Sequence, residues 1–343
     1  MPAPYLIPGR SSSGKVFLKN KELTRTIKIG TRASVLALWQ ANWVKGELEK
    51  RYPAVEVSLE KIKTTGDKIT DVPLAKVGGK GLFVKEIEEA LLSGRVDLAV
   101  HSMKDVPTLL PKGLHLKAIT EREDPRDVVI SRGGRKLLEL PVGARIGTSS
   151  LRRQAQLLCL RPDFEVVGLR GNLDTRIRKL EGGAFDCVIL AGAGIKRLGW
   201  GDKITEYLPP ETMLPAIGQG ALGIETRTDD EHVNKLISFF DHPETSVAVT
   251  AERAMLKRLE GGCQVPIAAY GTVRGDGVLK LTGLVASTDG KTVVKDSLEG
   301  NADRAGELGT VLAERLLKMG AREILAELYG AETRLMRENT PEV

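Results

Sequence analysis

Short apolar segments alternate with helical patterns along the first two-thirds of the chain. In the first stretch the pattern predicts strands at 26–29, 55–62 and 96–100, together with a helix over 83–92. Ser34 is placed to cap a further helix that follows the first strand. Strands that alternate with helices are typical of βαβ units and a mainly parallel sheet.

A similar order of elements recurs farther along the chain. The pattern predicts strands at 127–131, 145–147, 164–169 and 187–190, and helices at 150–160, 174–180 and 195–198. This similarity predicts two related α/β lobes, although no repeat is visible residue by residue. The glycine-rich stretch 215–223 is a candidate crossover between the lobes.

From about residue 243 the pattern changes. A long helix is predicted first, then three strands with a hairpin turn at Thr288-Asp289-Gly290, and finally two helical stretches. The predicted ranges are helix 246–259, strands 265–273, 278–287 and 292–298, and helices 304–318 and 321–328. This order predicts a small α+β third domain.

Composition narrows the class of protein. The chain has 343 residues, of which 41% are hydrophobic and 28% charged, so it is long enough for two or three folded domains. No uninterrupted apolar run approaches the roughly 18 residues of a membrane span. Residues 1–25 are rich in proline, serine and basic residues, which predicts a flexible extension; a transit peptide is the alternative.

The net charge of +6 raises nucleic acid as a partner. Aromatic residues make up only 4% of the chain and do not alternate with lysine and arginine, as a base-stacking surface requires. An acidic small molecule explains the mild basic excess equally well. The four histidines show no metal-ligand spacing, so no metal site is expected.

The segment 100–107 is the first candidate site. It follows a predicted buried strand, where open α/β sheets place their ligands. Ser102, Lys104 and Asp105 bring together a hydroxyl, a cation and a carboxylate. A polar loop in which Lys104 pairs with Asp105 is the alternative.

The segment 147–153 is the second candidate. Thr148 and Ser150 precede a predicted helix, whose exposed N–H groups favour an anion. Arg152 and Arg153 stand in the first turn, where their charge opposes the helix dipole. These positions predict an anion site; a serine cap with solvated arginines is the alternative.

Further basic residues recur at strand-to-helix turns and in one glycine-rich loop. They are Arg32, Lys76, Lys80, Arg170 and Arg176. Because the arginine fork pairs carboxylates in a bidentate way, their recurrence in both lobes predicts a cleft for a ligand with several carboxylates. Two segments resemble nucleotide-binding motifs but do not match them. Arg197 replaces the third glycine of a dinucleotide-binding fingerprint, and the loop around Lys80 lacks the spacing of a Walker motif.

The chain contains three cysteines, too few and too widely spaced for a disulfide framework. Cys159 and Cys187 fall in apolar patterns and are predicted to be core residues. Cys263 follows two glycines on a loop, where a thiol can be a nucleophile or an attachment point. A small loop residue without chemistry is the alternative there.

Taken in order, these segments resemble the porphobilinogen deaminase family, also called hydroxymethylbilane synthase. The likeness covers about residue 26 to the C-terminus. The matching motifs are Ile29-Gly30-Thr31-Arg32, Pro73 to Phe83, Ala99 to Asp105, Glu121 to Arg126, Gly147 to Arg153, Leu169 to Asn172, Pro215 to Gly220, and Glu260 to Pro266.

The resemblance implies a transferase of tetrapyrrole synthesis. Members of the family join four porphobilinogen molecules head to tail with release of ammonia, on a covalent dipyrromethane cofactor, and hydrolyse the product to linear hydroxymethylbilane. It further implies two lobes like those of type II periplasmic binding proteins plus the α+β domain. The implied boundaries are 26–122 with 218–240, 123–217, and 241–343 after the 1–25 extension.

The resemblance also implies a role for each candidate residue. Asp105 matches the catalytic aspartate, and Cys263 the cysteine that holds the cofactor by a thioether. The implied cofactor-binding residues are Ser102, Lys104, Thr148, Ser150, Arg152, Arg153, Arg170 and Arg176. The implied substrate-binding residues are Arg32, Ser34, Lys76, Lys80 (in the loop that resembles the family lid), Phe83, Arg197 and Gln219.

Two other functions stay open on the residues alone. A non-enzymatic binding protein for a carboxylated ligand would need neither Asp105 nor a thiol-bearing third domain. A nucleic-acid binder would lose affinity steeply with salt. The expected state is a cytoplasmic monomer that uses porphobilinogen and binds neither nucleic acid nor membrane, with a plastid as the alternative compartment.

Overall fold

The computed structural model describes residues 26–68, 81–260 and 265–338. The strands, in chain order, are β1 (Ile27–Thr31), β2 (Val57–Lys61), β3 (Leu98–Ser102), β4 (Leu114–Ile119), β5 (Asp127–Ser131), β6 (Arg145–Gly147), β7 (Glu165–Val167), β8 (Cys187–Ala191), β9 (Glu206–Leu208), β10 (Leu222–Arg227), β11 (Ile267–Val273), β12 (Val278–Ala286) and β13 (Val293–Asn301).

Helices connect and cover these strands. They are α1 (Val35–Arg51), α2 (Thr65–Lys68), α3 (Lys85–Leu92), α4 (Leu151–Leu160), α5 (Leu173–Glu181), α6 (Gly192–Arg197), α7 (Glu231–Ile237), α8 (Pro243–Arg258), α9 (Ala305–Leu316) and α10 (Arg322–Glu338). Among the described residues, none of these helices combines the length and hydropathy that crossing a bilayer would need.

Two five-stranded sheets have equivalent strand orders. The first runs β2-β1-β3-β10-β4 and the second β7-β6-β8-β5-β9. In each, three neighbouring strands are parallel and the fourth runs antiparallel to both of its neighbours. The prediction of two related, mainly parallel α/β lobes is therefore confirmed.

The chain passes between the two sheets twice. It leaves the first sheet after β4, builds the whole second sheet, and returns at β10, whose Leu222 pairs with Ser102 at the end of β3. The returning segment contains most of the glycine-rich stretch 215–223, as the sequence predicts. The outgoing crossover runs beside the returning one, since the Glu123 N–H donates to the Gly220 carbonyl at 3.2 Å.

The sequence pattern did not reveal β4, β9, β10 or α7. In β10 a glycine and three polar residues break the apolar alternation, yet its Glu225 is buried and lies 3.0 Å (Oε2) from Nε2 of buried His101. A buried polar partner on the neighbouring strand thus replaces the apolar contacts by which a central strand is usually recognised.

The third unit is a three-stranded antiparallel sheet, β11-β12-β13, covered by helices α8 and α9. Its core brings Met255 of α8, Leu281 of β12 and Leu312 of α9 together. Gly320, with φ of 111°, ends the helical path of α9 and lets α10 start in a new direction. The predicted α+β domain is confirmed, and the last helix extends beyond the predicted range.

Candidate active site between the two lobes

The segment after β3 carries the first group of candidate residues. β3 ends at Ser102, whose hydroxyl accepts a hydrogen bond from Gln40 Nε2 of α1 at 2.9 Å. A single 3₁₀ turn, Met103–Asp105, follows; it leaves Lys104 half-buried and the Asp105 side chain exposed. The strand end therefore presents a cation and a carboxylate side by side.

Lys104 interacts with the cations Arg153 and Arg176 and with the carboxylates of Asp105 and Asp127. Burial lowers the pKa of Lys104, while the Asp105 carboxylate opposes that change; Arg153 and Arg176 lower the pKa further by charge repulsion. Cations from the second lobe thus lie close enough to the end of β3 to act on it electrostatically. A bound anion would relieve this repulsion.

The start of α4 has the predicted cap. Ser150 Oγ accepts a hydrogen bond from the Arg153 N–H at 3.5 Å, and Thr148 Oγ1 accepts one from the Ser150 N–H at 3.2 Å. Arg152 and Arg153 are both buried, with 5% of each residue exposed. The alternative of solvated arginines is therefore wrong.

A carboxylate of the chain itself lies between these two arginines. Asp127, the first residue of β5, accepts a hydrogen bond at Oδ1 from Arg153 Nη2 (2.7 Å), and its Oδ2 lies 2.7 Å from Arg152 Nη1. Burial acts to raise the pKa of Asp127, but the two guanidinium groups outweigh it and hold that pKa well below its usual range. Arg152 also donates to the Leu214 carbonyl at 2.7 Å.

Three other arginines of the second lobe reach the cleft region. Arg176 donates to the Gly171 carbonyl (2.8 Å) and Arg197 to the Gly220 carbonyl (2.7 Å). Burial lowers the pKa of each to about 10, and Arg153 contributes at Arg176. Burial also lowers the pKa of Arg170, whose Nη2 is buried without a hydrogen-bond partner in the described part of the chain.

Arg32 of the first lobe is held by a neighbouring carboxylate. Its guanidinium pairs with Asp67 at 2.5 Å (Nη2 to Oδ1) and lies over the Phe83 ring, 4.3 Å from its centroid. Burial acts to raise the pKa of Asp67, and its bonds with Arg32 and Thr64 outweigh that effect and lower it. Ser34 caps α1 by accepting from the Ala37 N–H at 3.3 Å.

One cavity collects residues from both lobes. Gln219 closes it with a buried side chain whose Nε2 donates to Asp127 Oδ1 (2.9 Å), while its Oε1 has no hydrogen-bond partner among the described residues. The predicted site residues that line the cavity are Ser102, Lys104, Arg153, Arg176, Arg197 and Gln219. Several cations and an unsatisfied amide oxygen around one space fit a ligand with carboxylates and N–H groups.

Three predicted site residues, Lys76, Lys80 and Cys263, lie outside the described residues. Of the two other cysteines, Cys187 is buried as predicted, and burial raises the pKa of its thiol to about 12. Cys159 is exposed, so its predicted core position is wrong. It lies on the solvent-exposed side of the last turn of α4. The apolar positions of the sequence no longer coincide there with the side of the helix that faces the core.

The sequence interpretation missed three polar side chains: Gln40, Asp67 and Asp127. Each bonds a predicted site residue across 26 to 62 positions of the chain. Asp127 directly follows one of the recognised motifs and opens a predicted strand, which is an unusual place for a carboxylate. A carboxylate at the start of a buried strand could therefore have indicated a buried partner for the arginines.

Comparison with known proteins gives the same family over most of the chain. Residues 27–235 match the family described as "Porphobilinogen deaminase, dipyromethane cofactor binding domain", and residues 246–318 match "Porphobilinogen deaminase, C-terminal domain". A solved TRAP periplasmic solute binding protein from Desulfovibrio salexigens is 12% identical with a TM-score of 0.38, covering 64% of this chain and 72% of that chain. The fold assignment rests instead on the strand order described above.

Curated relatives extend the match to nearly their whole length. The porphobilinogen deaminase of Geotalea uraniireducens (strain Rf4) is 67% identical over 314 residues, which are 92% of this chain and 98% of that protein. The porphobilinogen deaminase of Geobacter metallireducens is 65% identical over the same shares. The chain therefore belongs to the porphobilinogen deaminase family, with a dipyrromethane cofactor-binding region and the family's C-terminal domain.

Proposed function

We propose that this chain is a transferase that joins four porphobilinogen units on a dipyrromethane attached to Cys263 and releases linear hydroxymethylbilane. The observation that carries the proposal is the set of cations from the second lobe that meets the exposed Asp105 carboxylate and Lys104 at the end of β3. The same proposal includes the domain boundaries that the family resemblance implies, a monomeric state and a cytoplasmic location.

The cleft residues suit a growing polycarboxylate. Each pyrrole unit adds carboxylates, and Arg170, Arg176 and Arg197 can pair them through planar, charged forks. The buried, unpartnered Nη2 of Arg170 is a donor that a ligand carboxylate would satisfy. Arg152 and Arg153 contribute their charge indirectly, because both are already paired with Asp127.

Asp105 is the residue proposed to act on the reacting atoms. When bound, the dipyrromethane supplies the pyrrole carbon to which the first porphobilinogen is joined. Positive charge develops on pyrrole nitrogens as ammonia leaves and as the new bond forms, and a carboxylate beside them stabilises that charge and accepts a proton. Lys104 lies next to Asp105 in the chain, and the Asp105 carboxylate interacts with its charge.

Intact mass measurement tests the attachment point. The purified wild-type protein should carry an excess equal to two linked pyrrole units, and Cys263→Ser should lack it. Cys159→Ser is the matched control, since Cys159 is an exposed thiol on another domain. Wild type and control should also consume porphobilinogen and release ammonia.

Two results would overturn the assignment. An excess that survives Cys263→Ser but disappears with Cys159→Ser would place the cofactor on another thiol. An unmodified wild-type mass that stays unchanged after incubation with porphobilinogen or the tetrapyrrole product would favour the binding-protein alternative.

A further inference from the structure

The position of the Asp105 carboxylate depends on a short piece of backbone. Asp105 is the last residue of the 3₁₀ turn Met103–Asp105, and its side chain is exposed. Packing around the side chain therefore does little to fix it. Whatever holds the turn and the residues that follow it decides where the carboxylate lies.

The N-terminal side of the turn is held by the returning chain. The Met103 N–H donates to the Ala221 carbonyl at 3.0 Å, next to the pairing of Ser102 with Leu222. Gly218 packs so closely that a Cβ on it would lie 2.7 Å from the Met103 Cβ. This side of the turn is thus fixed by backbone hydrogen bonding and close packing.

The C-terminal side is held by one arginine of another unit. Arg253 of α8 donates from Nη1 to the Val106 carbonyl (3.0 Å) and from Nη2 to the Pro107 carbonyl (2.6 Å). These are the two carbonyls that directly follow Asp105. The planar guanidinium matches two successive acceptors at once, which an ammonium group does not.

Arg253 is itself held in place. Its helix packs into the core of the third unit, where Met255 is fully buried. The buried Glu225 carboxylate of β10 interacts with the Arg253 charge and also lies 3.0 Å from His101, four residues before Asp105. The arginine thus connects the third unit to the strand pair that carries the catalytic segment.

We propose that Arg253 is a positioning residue for the condensation, acting through the backbone of residues 105–107. The proposal rests on the assignment of Asp105 to the reaction. Arg253 lies outside the set of cleft cations, and its guanidinium is engaged with two backbone carbonyls. Its contribution is to the geometry of the carboxylate, where a displacement of about 1 Å is enough to cost roughly 100-fold in rate.

The test compares Arg253→Ala and Arg253→Lys with wild type in the cofactor-bearing enzyme. The matched control is Arg258→Ala on the same helix, which removes a half-exposed ion pair with Glu314 (2.6 Å). Cofactor content comes from intact mass, folding from the thermal midpoint, and kcat and KM from porphobilinogen consumption. Asp105→Ala is measured alongside as the reference for losing the carboxylate.

We expect Arg253→Ala to lower kcat by about 10- to 100-fold with KM within about twofold of wild type and full cofactor content. Arg253→Lys should fall between Ala and wild type, because one ammonium can reach one carbonyl. Arg258→Ala should keep wild-type kcat. If Arg253→Ala does not fold, the reduced kcat of a folded Arg253→Lys at unchanged KM carries the same conclusion.

Other outcomes overturn the proposal. These are a kcat within twofold of wild type in the folded variants, a rise in KM without a fall in kcat, loss of the cofactor, or an equal loss in Arg258→Ala. Failure of the proposed function would look different: wild type would leave porphobilinogen unchanged, or Asp105→Ala would retain wild-type kcat.

Discussion

At the residue scale, Asp127 determines which arginines of the second lobe are already paired within the protein and which remain to pair with a ligand. This carboxylate is fully buried and compensates Arg152 and Arg153 together, while it also accepts from Gln219. Arg170, Arg176 and Arg197 interact mainly with backbone carbonyls or have an unsatisfied donor. A ligand carboxylate therefore gains most from these three.

Replacing Asp127 by Asn tests this division. The change leaves two buried guanidinium groups without their carboxylate, so the free energy of unfolding near pH 7 should fall by about 3–5 kcal/mol. Denaturant unfolding of the two proteins measures the loss. The exposed pair Arg274–Asp276 offers the control, and Asp276→Asn should change stability little.

The difference in unfolding free energy between wild type and Asp127→Asn should depend on pH in one direction. The folded-state pKa of Asp127 lies below its ordinary value of 3.8, so the stabilisation is complete above that value. As the pH falls below 3.8 toward the folded-state pKa, the carboxylate is protonated in the unfolded chain but not yet in the folded protein, so the stabilisation is progressively lost. The difference between wild type and Asp127→Asn should therefore narrow on acidification; a constant difference down to pH 2 would contradict the assignment.

At the scale of elements, helix α4 links the proposed cofactor-binding residues to the third unit. Ser150 caps its start, its first turn carries Arg152 and Arg153, and farther along it meets the hairpin between β12 and β13. Gly290 in that turn has φ of 71°, and a Cβ on it would lie 2.5 Å from the Ala155 carbonyl oxygen and the Cys159 nitrogen. The hairpin thus packs backbone to backbone on the helix.

Gly290→Ala should disturb this contact. Gly277 is a matched control, because its φ of 77° is similar and no atom lies within 4 Å of a Cβ there. Both substitutions incur backbone strain of about 1–2 kcal/mol, and Gly290→Ala should cost about 1–3 kcal/mol more through the clash. Thermal and denaturant unfolding measure both variants. Equal losses would mean that the hairpin does not depend on close packing against α4.

At the scale of the whole molecule, two lobes with one strand order face each other across a cleft lined by cations. Burial is the main cause that lowers the pKa of Lys104 and of Arg176; neighbouring arginines lower both further, while Asp105 raises both. The cations of the cleft therefore repel one another, and the chain's own carboxylates offset part of this repulsion. A carboxylated cofactor bound there should stabilise the molecule as well as prime its chemistry.

Comparison of the cofactor-bearing protein with Cys263→Ser tests this at several salt concentrations. Without the cofactor, which we propose is attached to Cys263, this variant should melt at least ~2 °C lower at low salt, the shift that roughly 1 kcal/mol produces in a large domain. The difference in melting temperature should become smaller at 0.5 M salt, because the Debye length is only about 4–5 Å there and the cations repel each other less. A difference in melting temperature that salt does not change would mean that repulsion among the cleft cations does not cause it.

Much of the fold followed from local sequence. Apolar strands such as β3 and β8, the capped start of α4 at Ser150, and the turn at Gly290 all depend on residues within a few positions of one another. Periodicity and capping are local properties, so they can be read without tertiary contacts. The clustering of basic residues at strand ends likewise predicted the segments that bring Lys104, Arg153 and Arg176 to the cavity.

The tertiary structure alone decided which of these residues are available to a ligand. Asp127 bonds Arg153 across 26 positions, Gln219 bonds Asp127 across 92, and Arg253 bonds Val106 across 147. β10 joins the first sheet although its own pattern is broken by polar residues. Such pairings depend on how distant segments pack, because a buried charge is stable only beside the partner that the fold brings to it.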